Sequence, residues 1–188
     1  MPNRATSLFS AGPLALIGMI AAVALTRLIP NPPNFSPVEA MALFGGAYLA
    51  KRSWAVLVPL IALFISDLAL GLMMGGEYFQ YFVSAGFLLV YLTIAVLSVF
   101  GFGLRGKVSV ARVASYGIAG SVLFFLVTNF GVWFGSAYYP QTASGLMAAY
   151  AAGIPFLQNG ILGTLFYSAV LFGSYEVLKQ RIPALAQN

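Results

Sequence analysis

The sequence predicts an all-helical integral membrane protein, a bundle of six transmembrane helices forming a single domain over residues 1–188. Three observations carry this. The chain is 61% hydrophobic and only 7% charged, against about 25% charged residues in a soluble domain. Its mean hydropathy is +0.93. The apolar residues come in long runs rather than in the two-residue alternation of a barrel strand, and helices satisfy their own backbone hydrogen bonds in lipid.

Six segments follow in order. The first, residues 11–29, ends at the proline-rich stretch "RLIPNPPNFSPVEAM". The second, 38–50, carries Gly45 and Gly46 and falls short of the roughly 20 apolar residues a crossing takes. It is therefore tilted, re-entrant or extended by its neighbours. Segments 54–74, 78–103 and 112–135 are each long enough to cross, and 154–178 completes the set. Before the last one, Gly153-Ile154-Pro155 predicts a break between a short surface helix near 144–152 and the buried helix, with Pro155 in its first turn.

Charge sets the expected orientation. A cytoplasmic N-terminus places Arg4, Lys51, Arg52, Arg105, Lys107, Arg112, Lys179 and Arg181 on the inner side, leaving Arg27 alone outside. Such asymmetry predicts a multi-pass protein with both termini in the cytoplasm. The net charge of +5 then reports topology, not nucleic-acid affinity. A competing reading takes Ala22-Val23-Ala24 as a small-residue cleavage site, which would leave five spans in the same orientation. Cysteine and histidine are both absent. Disulfides, thiolate nucleophiles, zinc sites and His-ligated haem are excluded with them, so no cofactor, metal or catalytic set is expected.

The polar groups collect on the outer side. Asp67 lies about 20 Å from the inner end of the third span, at 1.5 Å per residue. A carboxylate at that depth costs about 2.5–3.5 kcal/mol on insertion scales and normally faces protein or a water-filled cavity. It is read as a ligand contact or as half of a buried ion pair with Arg27. Glu39 opens the second span. Asn129 and Trp133, four apart in the fifth, share a helix face; interhelical glue and an interfacial aromatic belt are their blander readings. Gln158 and Asn159, adjacent amides at the start of the sixth span, are costly there unless paired or wet. With Asn34 and Phe35 of the insertion, these groups converge from five segments, the usual form of a small-molecule pocket. "NPPNFSP" would be its stiff, polyproline-like cap, with its φ angles restricted. On the first span, Ala11, Ala15, Gly18 and Ala22 have the small-residue spacing that lets another helix approach closely.

The stretches "PNFSPVEAMALFGGAYL", "LFISDLALG" and "TNFGVW" through "YPQTASGLMAAYAAGIPFLQNG" resemble an uncharacterised bacterial family described as transport proteins, over most of residues 27–173. More distantly, the size and six-span layout are similar to the substrate-binding S component of energy-coupling factor (ECF) vitamin transporters. That resemblance implies a bacterial cytoplasmic (inner) membrane location and a vitamin- or cofactor-like ligand held near the outer face under the first loop. It also implies docking of a transmembrane coupling protein, with its ATPases, on the small residues of span one. A solitary cobalamin transporter of this kind uses a cysteine at its corrinoid site, which this chain lacks. The function expected is substrate-binding membrane transport without enzymatic chemistry. A membrane scaffold and a small ion-coupled secondary transporter with Asp67 as carrier are the alternatives.

Overall fold

A computed structural model describes residues 11–82, 84–135, 137–182 and 185, apart from the side chains of residues 77 and 81. Arg4 lies outside them. Among the described residues every regular element is helical: α1 (Ala11–Leu25), α2 (Val38–Tyr48), α3 (Arg52–Met74), α4 (Gly76–Phe82), α5 (Ala85–Phe100), α6 (Val110–Gly135) and α7 (Ala143–Arg181). Short 3-10 turns at Thr26–Leu28 and Gly101–Leu104 extend α1 and α5.

Among the described residues, five helical stretches are long and apolar enough to cross a membrane: Ala11–Leu28, Arg52–Met74, Ala85–Leu104, Val110–Gly135 and Ala143–Arg181. This is a helical, multi-pass membrane protein. The expected second span is different in kind. Its helix α2 has 11 residues, about 16 Å at 1.5 Å per residue, roughly half the hydrocarbon thickness. Every residue of α2 but Tyr48 is buried, because α1, α3, α5, α6 and α7 all pack around it. A segment sheathed in protein has no need of the length that lipid demands.

Glycine makes that sheath possible. A Cβ at Gly46 would lie 2.2 Å from the Ser98 carbonyl oxygen and 2.9 Å from the Gly101 Cα, so backbone meets backbone there. At the C-terminus of α2, Arg105 donates to the carbonyls of Gly46 (2.8 Å), Leu49 (2.8 Å) and Ala50 (3.2 Å). The Gly46 carbonyl is one that the helix end leaves without an intrahelical donor, and a cation is favoured there. Its guanidinium also sits 4.3 Å from the Phe102 ring centroid, with Arg52 at 5.7 Å from the same ring. Burial, followed by the charge of Arg52, lowers the Arg105 pKa.

Two expected boundaries are corrected. The segment 78–103 is split into α4 and α5. Ser84 is the reason at the α5 side: its hydroxyl accepts from the Phe87 N–H at 3.1 Å and caps a new helix. The break at Gly153–Pro155 does not occur, and α7 runs unbroken for 39 residues. Gly153 sits where a Cβ would come within 2.5 Å of Asn129 Oδ1 and 2.7 Å of the Phe125 ring, so the helix is pressed against α6 at that turn. The carbonyl that Pro155 leaves without a donor belongs to Ala151, which is exposed. At about 58 Å, α7 exceeds the roughly 30 Å hydrocarbon core by nearly two-fold.

One buried group lies outside this satisfied pattern. The Ser168 hydroxyl has no hydrogen-bond partner among the described residues. Ser168→Ala is expected to leave the fold intact and stabilise it by about 1 kcal/mol, since an unsatisfied buried polar group costs about 1–3 kcal/mol. Chemical unfolding in detergent micelles measures this, and a loss of stability would contradict the assignment.

Candidate functional site

Among the described residues, the basic groups other than Arg27 and the proline-rich segment mark opposite ends of the bundle. At the basic end, Arg105 meets the C-terminus of α2, Arg112 donates to the Gly103 carbonyl at 2.9 Å, and Lys179 lies 5.2 Å from the Tyr48 ring. Lys179 also pairs with Glu176 at 2.7 Å, and the Tyr48 hydroxyl donates to the same carboxylate.

At the other end, Arg27 and Asp67 form an ion pair at 2.6 Å, with side chains 16% and 4% exposed. Both members of the pair make further hydrogen bonds. Tyr78 donates to Asp67 Oδ1 at 2.9 Å and Tyr91 to Oδ2 at 2.7 Å. Arg27 Nη1 donates to the Ser66 hydroxyl and to the Leu63 carbonyl at 3.4 Å. Burial and the Asp67 charge push the Tyr78 hydroxyl up to about 12, so it stays protonated as a donor. One carboxylate thus ties together the end of α1, α3, α4 and α5.

Residues 27–37 cross this end as a strap. Asn31 holds its bend by donating to the carbonyls of Thr26 (3.1 Å) and Ile29 (2.7 Å). Asn34 has φ 63, a left-handed conformation that Asn tolerates better than other non-glycine residues. Asn159 of α7 donates to the Pro33 carbonyl at 2.9 Å. The Phe35 ring packs on Phe166 and Tyr167, with centroids 5.8 and 5.9 Å away. A Cβ at Gly163 would stand 2.8 Å from the Ser36 nitrogen, so only glycine lets the strap lie this close to α7. Asn34→Val is expected to cost about 1 kcal/mol through its backbone, the penalty of the left-handed region for a β-branched residue. Asn34→Gly should cost nothing measurable in the same unfolding assay.

Beneath the strap lies a cavity of about 620 Å³. Arg27, Asn34, Phe35, Glu39 and Asp67 line it, together with Leu63, Leu70, Val90 and Phe124. The exposed strap residues and the exposed Met73 and Met74 of α3 form its rim. The arrangement offers an apolar chamber with one neutralised ion pair on its wall. Such a chamber can hold a small molecule by shape and by a few hydrogen bonds. Among the described residues no three acidic groups gather where a metal ion would sit.

The remaining residues singled out from sequence separate into distinct placements. Glu39 lines the cavity from a buried position, 8% exposed, where Ser121 and Thr164 both donate to Oε2. Asn129 turns back to the Phe125 carbonyl of its own helix at 3.0 Å and borders only a void of about 10 Å³, room for at most one water. Trp133 donates to the Pro140 carbonyl at 2.9 Å, and Gln158 is exposed; neither lines the cavity. Asn159 acts through the strap it anchors. On α1, Ala11, Gly18 and Ala22 are exposed and Ala15 is half-buried, so this spacing faces out of the bundle.

Sequence reasoning missed Tyr78, Tyr91, Ser66, Ser121 and Thr164. The available signal was a hydroxyl within an otherwise apolar run, as in "LLVYLTIAV" and "LGTLFYS". No curated protein and no solved structure matches the chain. A family of unknown function, DUF6580, matches residues 8–185, nearly the whole length, and the chain belongs to that family.

Proposed function

We propose that this membrane protein captures a small, largely apolar molecule bearing a few hydrogen-bonding groups and carries it across the bilayer. One observation supports the reading above all others: the cavity of about 620 Å³ under the strap, within the roughly 300–1,000 Å³ of small-molecule sites. With the basic end in the cytoplasm, the cavity faces outward and the protein serves uptake. A vitamin- or cofactor-like substrate and an ATPase-driven ECF partner are the finer expectations that the S-component likeness adds. The outward Ala11, Gly18 and Ala22 would offer such a partner a close-packing face. The same exposed face favours a membrane scaffold as the second reading.

Native mass spectrometry of the detergent-purified chain separates the two. Transport predicts a retained small-molecule mass that disappears in Leu70→Trp, where a bulky ring enters the cavity while the protein stays folded. Bare protein from several mild preparations, identical in both variants, would leave the scaffold standing.

A further inference from the structure

A second hollow, of about 600 Å³, runs between α6 and α7 toward the basic end. Val110, Val113 and Ala114 form one wall, and Leu165, Ala169 and Gly173 the other. Val110 is 89% exposed, and a Cβ on Gly173 would meet no atom within 4 Å. Among the described residues nothing fills this groove, and it opens on the flank of two membrane-crossing helices. It adjoins a smaller hollow of about 380 Å³, since Val108 and Glu176 line both. The smaller one is polar in character, bounded by Tyr48, Glu176 and Lys179. Its carboxylate is already engaged, by Lys179 at 2.7 Å and by the Tyr48 hydroxyl. Lys107, exposed between the lining residues Gly106 and Val108, forms no ion pair among the described residues.

We propose that the two hollows together bind one anionic phospholipid from the surrounding membrane. An acyl chain lies in the α6–α7 groove and the phosphate sits beside Lys107 and Lys179. This inference does not depend on the transport reading, because it concerns the opposite end of the bundle. Lipid tails are as apolar as the groove, so the chain gains little by leaving the bilayer. Selection must come from the headgroup, through its charge next to a basic residue at the membrane surface.

The test uses the full chain in detergent, with dioleoyl phosphatidylglycerol or dioleoyl phosphatidylcholine added as probe and bound lipid counted by native mass spectrometry. Phosphatidylglycerol should be retained in preference to phosphatidylcholine. Lys107→Gln should weaken phosphatidylglycerol by about fivefold, the factor expected for one basic residue near the surface, and leave phosphatidylcholine unchanged. Gly173→Leu, whose side chain has open space to enter, should weaken both lipids alike while the melting temperature holds. Equal retention of the two lipids by the unmodified protein overturns the proposal. So does a preference untouched by Lys107→Gln, or a dimer that Gly173→Leu dissolves while lipid binding stays constant, which would assign the groove to a second copy.

Discussion

Asp67→Asn is expected to destabilise the protein by about 3 kcal/mol, the scale measured when one partner of a buried ion pair is removed. The amide can still accept from Tyr78 or Tyr91, but it cannot neutralise Arg27, whose side chain is only 16% exposed. The stranded guanidinium supplies most of the loss. Combining Asp67→Asn with Arg27→Met should therefore recover much of the stability, since replacing both members of a buried pair is often close to neutral. A double-mutant cycle by chemical unfolding in micelles reads this directly. If the single variant were as stable as the parent, or if the two changes simply added, the pair would not be the structural tie described above. The same variant also separates structure from binding. A ligand lost from Asp67→Asn but regained with the double change would mean that the pair shapes the cavity rather than contacting its occupant.

Gly46→Ala should be about as damaging, near 3 kcal/mol, at the upper end of the usual overpacking cost. The methyl would stand 2.2 Å from the Ser98 carbonyl oxygen and 2.9 Å from the Gly101 Cα. Both are backbone atoms, so no side-chain rotation can relieve the clash; α2 and α5 must separate. Separation would also disturb the carbonyls that Arg105 holds. Gly18→Ala is the control. It lies on the exposed face of α1 with nothing within 4 Å of a Cβ, and the better helix former there should be neutral or stabilising by up to about 1 kcal/mol. Equal tolerance at the two positions would refute close packing around α2.

The strap was legible because its chemistry is local. Proline restricts φ within a few residues, but the polyproline-like course expected here gives way to a turn, in which the Phe35 N–H donates to the Pro32 carbonyl at 3.0 Å and Asn34 is left-handed. Arg27 and Asp67 were legible as candidate partners because isolated charges in apolar runs must be compensated. The partners of Glu39 were not legible. Ser98 and Thr93 return their hydroxyls to carbonyls four residues back on their own helix, whereas Ser121 and Thr164 reach across to Glu39. In one dimension those four hydroxyls look alike. The continuity of α7 through Pro155 was equally hidden, because it depends on Gly153 lying against Asn129 and Phe125 of α6.

By itself the sequence determined the membrane class, the apolar segments and the grouping of basic residues, because hydropathy and charge measure how each residue partitions between water and lipid. Only the tertiary structure decided which polar groups share the chamber. Trp133 and Gln158 were expected on the same outer side as Asp67, yet they take no part in lining it. Depth follows from position along a helix, whereas a cavity depends on how each helix is rotated about its axis. That rotation is settled by packing between α2 and its neighbours.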